Sequence, residues 1–314
     1  MSETPTNDGP VLVIGSAGLD LVGRAEINLK PGTSNPGKLR VSMGGVARNV
    51  AENLARLGTD VILITAVGTD EQGSQLLEQT ASVGVNIEHC LVVQDQNTGT
   101  YLAILDPDGN LHLGMDDMRV TAAIHPEHLR ERRELFKQAS AVFIDANLPE
   151  KTLRTAISIA HRSQVPLAAD TTSVNLAPVL TPYLDRLWLI TANEAEAEAL
   201  CPIPVAHADH HSAIDAARHL VAEGVDIAMI TMAEFGVGYA TADSSGHVPA
   251  LKTEIVDPTG AGDALSAAVI FALLNDIPLD EAIRLGVSAA TLTLRSPGTV
   301  SAELSLERLY GELR

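Results

Sequence analysis

Six short apolar runs recur along the chain, at residues 11–15, 61–65, 141–145, 165–170, 187–191 and 227–231, each bounded by polar or turn-forming residues. Continuous apolar character over so few residues is the pattern of strands buried on both faces of a parallel sheet. Between several of these runs the spacing lengthens to that of an amphipathic helix, at 46–57, 73–82, 150–162 and 213–222. The alternation predicts an α/β fold, a three-layer sandwich with a mainly parallel central sheet and right-handed crossovers. After Gly260 the pattern is mostly helical, through 264–274 and 279–294.

Two segments break this rhythm. Residues 24–41 place the string NLKPGTSNPGK between short strand-like stretches, and residues 98–114 alternate TYLAILD and NLHLG about DPDG. Both read as hairpins without a helix of their own. They are expected to combine into a small β-sheet that projects from the main body as a lid. With no internal repeat or low-complexity tract, residues 1–314 are expected to form a single domain carrying that lid.

Composition narrows the function. A chain of 314 residues with 46% hydrophobic content can bury a full core. Cys90 and Cys201 are too few and too far apart for a disulfide scaffold or a zinc site. The polar opening MSETPTNDGP reads as a ragged terminus, not a signal peptide, and no apolar stretch approaches the roughly 20 residues of a membrane span. A cytoplasmic location follows as an expectation. The net charge of −19, from 40 acidic and 21 basic residues, argues against nucleic acid or an anionic membrane as partner, leaving a small molecule. A polyphosphate ligand would be repelled by this general field, so amide dipoles and metal ions would have to hold it locally.

The strongest chemical signal is Asp257-Pro258-Thr259-Gly260-Ala261-Gly262-Asp263-Ala264-Leu265, which opens a helix rich in small residues. At a helix start the amides of Gly260, Ala261 and Gly262 are left unpaired, and they suit the charge that develops on a transferred phosphoryl group. Asp263 beside them is placed to take a proton from an attacking alcohol. A glycine turn with a capping aspartate is the structural alternative. The chain has no GxxxxGK[ST] string, which excludes a P-loop, and GAGDAL lacks the third glycine and the preceding strand of a dinucleotide fingerprint.

A second signal is Gly44-Gly45-Val46-Ala47-Arg48-Asn49, where paired glycines suit a hinge and Asn49 offers an amide to a polyol. Asp20, beyond the first strand, is read either as an acceptor for vicinal hydroxyls or as a turn cap. The third is Asn193-Glu194-Ala195-Glu196, in which acid near phosphates makes sense as an indirect ligand of hydrated Mg²⁺. Glu194 and Glu198 read as solvated helix residues, Asp209 in HADHH as a helix cap, and Trp188 as part of a buried strand edge.

In order and spacing, DPTGAGDAL, GGVARN and NEAE resemble the ribokinase-like, or phosphofructokinase-B, carbohydrate kinase family, over nearly the whole chain. The resemblance implies ATP as donor, Asp263 as base, Gly260, Ala261 and Gly262 as anion hole, and Asn193 and Glu196 as organisers of Mg²⁺ and phosphate. It places Asp20, Gly44, Gly45 and Asn49 on the sugar. Thr231 and Gly236 match the nucleotide-binding turn, with Ala233 standing where the family commonly has glycine. Asp257 and the Arg295-Ser296-Pro297-Gly298 turn match a monovalent-cation arrangement, implying K⁺.

The strings GSAGLD, SNPGK, GGVARNVAENLARLG, NTGTYLAILDPDG and DDM further resemble one branch of that family, the pseudouridine kinases. That likeness implies phosphorylation of the 5′-hydroxyl of a C-linked nucleoside, with Asn35, Thr100 and Asp117 as candidates for contacting the base. Kinases of ribose, adenosine or another nucleoside, and a non-catalytic sensor that kept the fold, are the alternatives. A homodimer is expected through the exposed strands of the lid.

Overall fold

In β1 (Val11–Ile14) Leu12 and Ile14 enter one hydrophobic core while Val11 and Val13 enter another. A strand apolar at every position is thus covered on both faces, as the continuous run predicts. The computed structural model describes residues 9–109 and 111–314; the rest of the opening segment read above as a ragged terminus lies outside the described residues.

Along the chain, β1 leads into the hairpin of β2 (Gly18–Ala25) and β3 (Gly37–Gly44), then α1 (Val46–Arg56), β4 (Val61–Ile64), β5 (Ala66–Gly68) and α2 (Glu71–Ser82). Short β6 (Leu91–Val93) precedes a second hairpin of β7 (Gly99–Leu105) and β8 (Leu111–Asp117). There follow α3 (Pro126–Glu131), α4 (Arg133–Gln138), β9 (Ala141–Asp145), α5 (Glu150–Ser163) and β10 (Leu167–Asp170). The second half holds β11 (Leu189–Asn193), α6 (Glu194–Leu200), α7 (His210–Ala222), β12 (Ile227–Thr231), β13 (Val237–Thr241) and β14 (Ser245–Val248). Helices α8 (Ala261–Leu274), α9 (Leu279–Leu294) and α10 (Leu306–Glu312) close the chain.

Eight strands form the central sheet in the order β14-β13-β12-β11-β10-β9-β1-β4. It is parallel from β12 to β4, and the antiparallel hairpin β13–β14 extends one edge. That hairpin was not foreseen in the sequence, where VGYATADSSGHV lacks a continuous apolar run. The strand expected at 187–191 starts two residues later, because the Leu187 amide closes a turn on Leu184 O at 3.2 Å. Helix α7 starts at His210 with Asp209 accepting from His211 N at 3.0 Å, the cap expected of it.

The two segments that broke the rhythm pair into one four-stranded sheet, β3-β2-β7-β8, the hairpins joining through the parallel pair β2–β7. Register fixes its faces. Asp20 pairs with Ser42 and Tyr101, and Tyr101 with Asp116, so these four side chains share one face with Arg40, which is aligned with Val22 two residues on. Leu19, Met43, Thr100 and Asp117 belong to the other face, together with Leu39, Val41, Leu113 and Met115, of which the last four are exposed.

Helices α1, α8 and α9 cover one face of the central sheet, and α8 lies closely against α9. Gly286 makes the approach possible: a Cβ there would sit 2.7 Å from Val269 Cγ2 and 3.1 Å from Leu265 O. Gly286→Leu is therefore expected to destabilise the protein by about 1–3 kcal/mol through overpacking. Thermal melts check this; an unchanged Tm would mean that the two helices have slack to accept the side chain.

Candidate active site

The C-terminal ends of β1, β9, β10 and β11 meet the N-termini of α1, α6 and α8, the crevice where open α/β sheets gather ligand-binding groups. At the centre is the start of α8. Gly260 adopts φ +82° as the residue before the helix, and a Cβ would overlap the Thr299 carbonyl, so only glycine fits. Gly262 faces open space. The amides of Ala261, Gly262 and Asp263 have no carbonyl four residues back within the helix, and they carry the positive end of its dipole.

Asp263, in the first turn of α8, accepts a hydrogen bond from Asn49 Nδ2 at 2.8 Å. The amide orientation of Asn49 is set from its other side, where Oδ1 accepts from Arg48 Nη1 at 3.1 Å and from Thr299 Oγ1 at 3.0 Å. Two donors at the oxygen leave the NH₂ to face the carboxylate. Buried Arg48 was not singled out in the sequence; it also donates to Met43 O at 3.1 Å and pairs with Glu52. Asp20 is a strand residue, not a turn cap, and is 5% exposed. Gly44 lies so close that a Cβ would overlap the Asp20 carboxylate, and a Cβ on Gly45, at φ +92°, would sit 2.5 Å from Ala17 Cα. The paired glycines thus let the small sheet join α1 directly over Asp20.

Both acids are hard to ionise. Burial first, and then the Asp263 charge, push Asp20 up to about 7. Burial, with a contribution from the Asp145 charge opposed by the Asn49 hydrogen bond, pushes Asp263 up to about 7. A third carboxylate, Asp170 at the end of β10, is raised well above its ordinary value by burial and by the charges of Asp263 and Glu196. The sequence reading passed over it. An acid at the carboxyl end of a buried parallel strand was the available signal.

Glu196 and Asn193 form a reciprocal cap on α6: Asn193 Oδ1 accepts from Glu196 N at 3.0 Å, and Glu196 Oε2 accepts from Asn193 N at 2.9 Å. Glu196 Oε2 also accepts from Thr171 Oγ1 at 2.6 Å. Glu194 and Glu198, expected to be solvated, instead fasten the loop after α6. Glu194 accepts from His207 Nδ1 and Ala208 N, both at 3.1 Å, and Glu198 accepts from Val205 N at 2.8 Å.

A cavity of about 800 Å³ opens beside the first turn of α8, with Asn193, Thr231, Gly236, Leu251, Gly262 and Val287 among its lining. In the Thr231–Gly236 turn at its edge Ala233 has φ +45°, in the region that favours glycine, so alanine there carries backbone strain a glycine would not. Gly236, at φ +98°, has the Val248 carbonyl where a Cβ would be.

Four of the expected residues are set apart from Asp20 or already have protein partners. Thr100 and Asp117 lie on the face of the small sheet opposite Asp20, so they do not point toward it, and Asp117 is occupied by an ion pair with Arg119 at 2.5 Å. The Asn35 side chain closes its own turn, with Oδ1 accepting from Lys30 N at 2.8 Å and Nδ2 donating to Lys30 O at 3.0 Å. Asp257, expected at a K⁺ site, is fully buried and paired with Arg40 from β3.

The pfkB family carbohydrate kinase description matches residues 9–305. The pseudouridine kinase of Escherichia coli K12 is 32% identical over 297 residues, covering 94% of each chain. A guanosine-inosine kinase of Exiguobacterium acetylicum is 29% identical over 91% of this chain and 94% of its own. Among solved structures, Arabidopsis thaliana ribokinase with ribose and ATP superposes with a TM-score of 0.84, covering 98% of this chain and 99% of the other at 20% identity.

The raised carboxylates tie stability to pH. Folded Asp263 holds a proton up to about 7, whereas the unfolded side chain releases it near the ordinary carboxylate value of 3.8. Across that window the folded state binds more protons, so stability falls as pH rises and the loss is complete above it. Asp263→Asn is expected to melt higher than the parent by roughly a few degrees at about pH 8, the advantage fading towards about pH 4. Parallel Tm–pH curves for the two proteins would contradict this.

Proposed function

This chain belongs to the pfkB family of carbohydrate kinases, and on that premise we propose that it transfers the γ-phosphoryl group of ATP to the 5′-hydroxyl of pseudouridine. The carrying observation is the setting of Asp263, between the unpaired amides of α8 on one side and Asn49 and Asp20 on the other. A hydroxyl held by Asp20 and Asn49 has its proton accepted by Asp263 while its oxygen bonds to the γ-phosphorus. The bond from that phosphorus to the bridging oxygen breaks, ADP leaves, and the amides of Gly260, Ala261 and Gly262 face the charge on the transferred group.

The cavity lined by Thr231, Gly236 and Val287 has the size for the nucleotide, opening onto the same amides. Asp170 and Glu196 are hard oxygen donors at the ends of β10 and α6 whose charges repel one another, and they would hold a hydrated Mg²⁺ through water. When bound, that ion supplies charge neutralisation at the phosphates. The small sheet serves as a lid over the acceptor, and its exposed apolar face of Leu39, Val41, Leu113 and Met115 would be covered by a second copy in a homodimer.

Pseudouridine is favoured as acceptor by the 94% coverage at 32% identity with a kinase of that nucleoside. Its glycosidic bond to carbon leaves a ring N–H that uridine lacks. Acceptors on the Asp20 face of the small sheet are Asp116 and Ser42; the buried Ser42 hydroxyl has no partner among the described residues. Half-buried Tyr101 offers a ring between them.

Initial rates with ATP and a panel of pseudouridine, uridine, inosine and ribose test the proposal. Pseudouridine is expected to exceed uridine by at least about tenfold in kcat/KM, since an unpaired buried acceptor costs on the order of 1–3 kcal/mol. The margin should narrow in Asp116→Ala. Equal use of the two nucleosides, or preference for ribose, would remove the C-nucleoside assignment and leave the kinase.

In the same assay Asp263→Asn should lower kcat by at least about a hundredfold, the scale of a lost general base. The parent rate should decline as pH drops below about 7, where Asp263 takes up its proton. A variant with near-parental kcat would take Asp263 out of the base role.

A further inference from the structure

We propose that the positive charge beside the anion hole is supplied by Arg40 of the small sheet, in the place where the sequence suggested K⁺. The inference rests on reading the start of α8 as the phosphoryl site, and it turns on what surrounds Asp257. One carboxylate oxygen of Asp257 is paired with the Arg40 guanidinium, and the other accepts from Thr259 N at 2.9 Å. Asp257 is fully buried, so both oxygens have protein partners and neither is turned to solvent. The carbonyl of Leu294, at the end of α9 just before the Arg295–Gly298 turn, is likewise engaged, accepting from Val256 N at 2.8 Å and Asp257 N at 3.2 Å. Ser296 and Arg295, the polar side chains of that turn, bond elsewhere: Ser296 Oγ to Leu292 O at 2.9 Å and Arg295 Nη1 to Glu312 Oε1 at 2.9 Å. A K⁺ ion needs several oxygen ligands free of strong donors, and the Asp257 carboxylate, the anionic group that would hold it here, is taken by the Arg40 guanidinium and Thr259 N. The residues present do not fit the ion.

They fit an arginine. Arg40 stands on the Asp20 face of β3, feels the Asp20 charge, and spans from the small sheet to the residue six before Asp263. A guanidinium desolvated against a buried carboxylate satisfies it directionally, as a spherical ion does not. The pair holds the turn 257–259 that presents the first amides of α8. Arg40 is thus a positioning residue, and its charge comes with the sheet that carries it.

The test compares the parent, Arg40→Met and Arg40→Lys in KCl and in choline chloride at matched ionic strength, reading both Tm and initial rates with ATP and the best acceptor of the panel. The parent should show the same Tm and the same kcat, within about twofold, in the two salts. Arg40→Met should lose about tenfold or more in kcat in choline chloride, and Arg40→Lys should keep most of it. A parent that KCl raises in Tm or activates more than about twofold, an Arg40→Met that keeps parental kcat, or an Arg40→Lys as impaired as Arg40→Met would each overturn the proposal. The Tm comparison requires no substrate, so an absence of turnover with every acceptor would count against the kinase reading and leave this arm intact.

Discussion

The hydrogen bond from Asn49 to Asp263 joins two halves of the site that the chain builds far apart. Asn49 lies on α1, which continues directly from the small sheet through Gly44 and Gly45, while Asp263 lies on α8, buried against the central sheet. Arg48 and Thr299 fix the amide so that its nitrogen faces the carboxylate. The proposed reaction depends on this contact, because it would place the element that holds a hydroxyl against the element that takes its proton. The close packing of α1 and α8 follows from the same requirement and explains the run of small residues after Asp263.

Gathering carboxylates at one end of a sheet works against folding. Asp20, Asp170 and Asp263 are all held above their ordinary range, chiefly by burial and then by neighbouring carboxylates, Asp263 acting on Asp20 and Asp170 and Asp145 on Asp263. A protein with net charge −19 that is to receive a polyphosphate needs positive potential in a small space. The unpaired amides of α8 supply it without any side chain, and the guanidiniums of Arg40 and Arg48, paired with Asp257 and Glu52, offset carboxylates nearby. A carboxylate held above its ordinary range and a set of amides left without helix partners are two features of one crevice, and in the proposed reaction they would serve as base and anion hole.

The parallel strands and main helices were legible because their apolar runs are continuous and their turns punctuated, and the glycine turn that opens α8 because its spacing leaves few alternatives. What was not legible had a physical reason in each case. The faces of the small sheet depend on register, and a shift of one residue exchanges Thr100 for Tyr101 and Asp117 for Asp116. Arg40 and Asp257 are 217 positions apart, and nothing local marks either as a partner of the other. Glu194 and Glu198 carry the look of a solvated helix, yet they secure the loop after it. Asp170 is one aspartate at one strand end until the fold brings Asp263 and Glu196 beside it.

Asp20 belongs to β2, a strand of the small sheet, whereas Asp263 is anchored in the main body. The two acids therefore stand on different sheets, and in the proposed reaction any tilt of the small sheet would change the line from a bound alcohol to the base. Water, which Asp20 has no polyol contacts to hold, gains nothing from that alignment. In the proposed reaction, wasteful hydrolysis of the donor would then be restrained by alignment as well as by exclusion, since a water lacks the neighbouring hydroxyls by which Asp20 and Asn49 would aim an alcohol at the base.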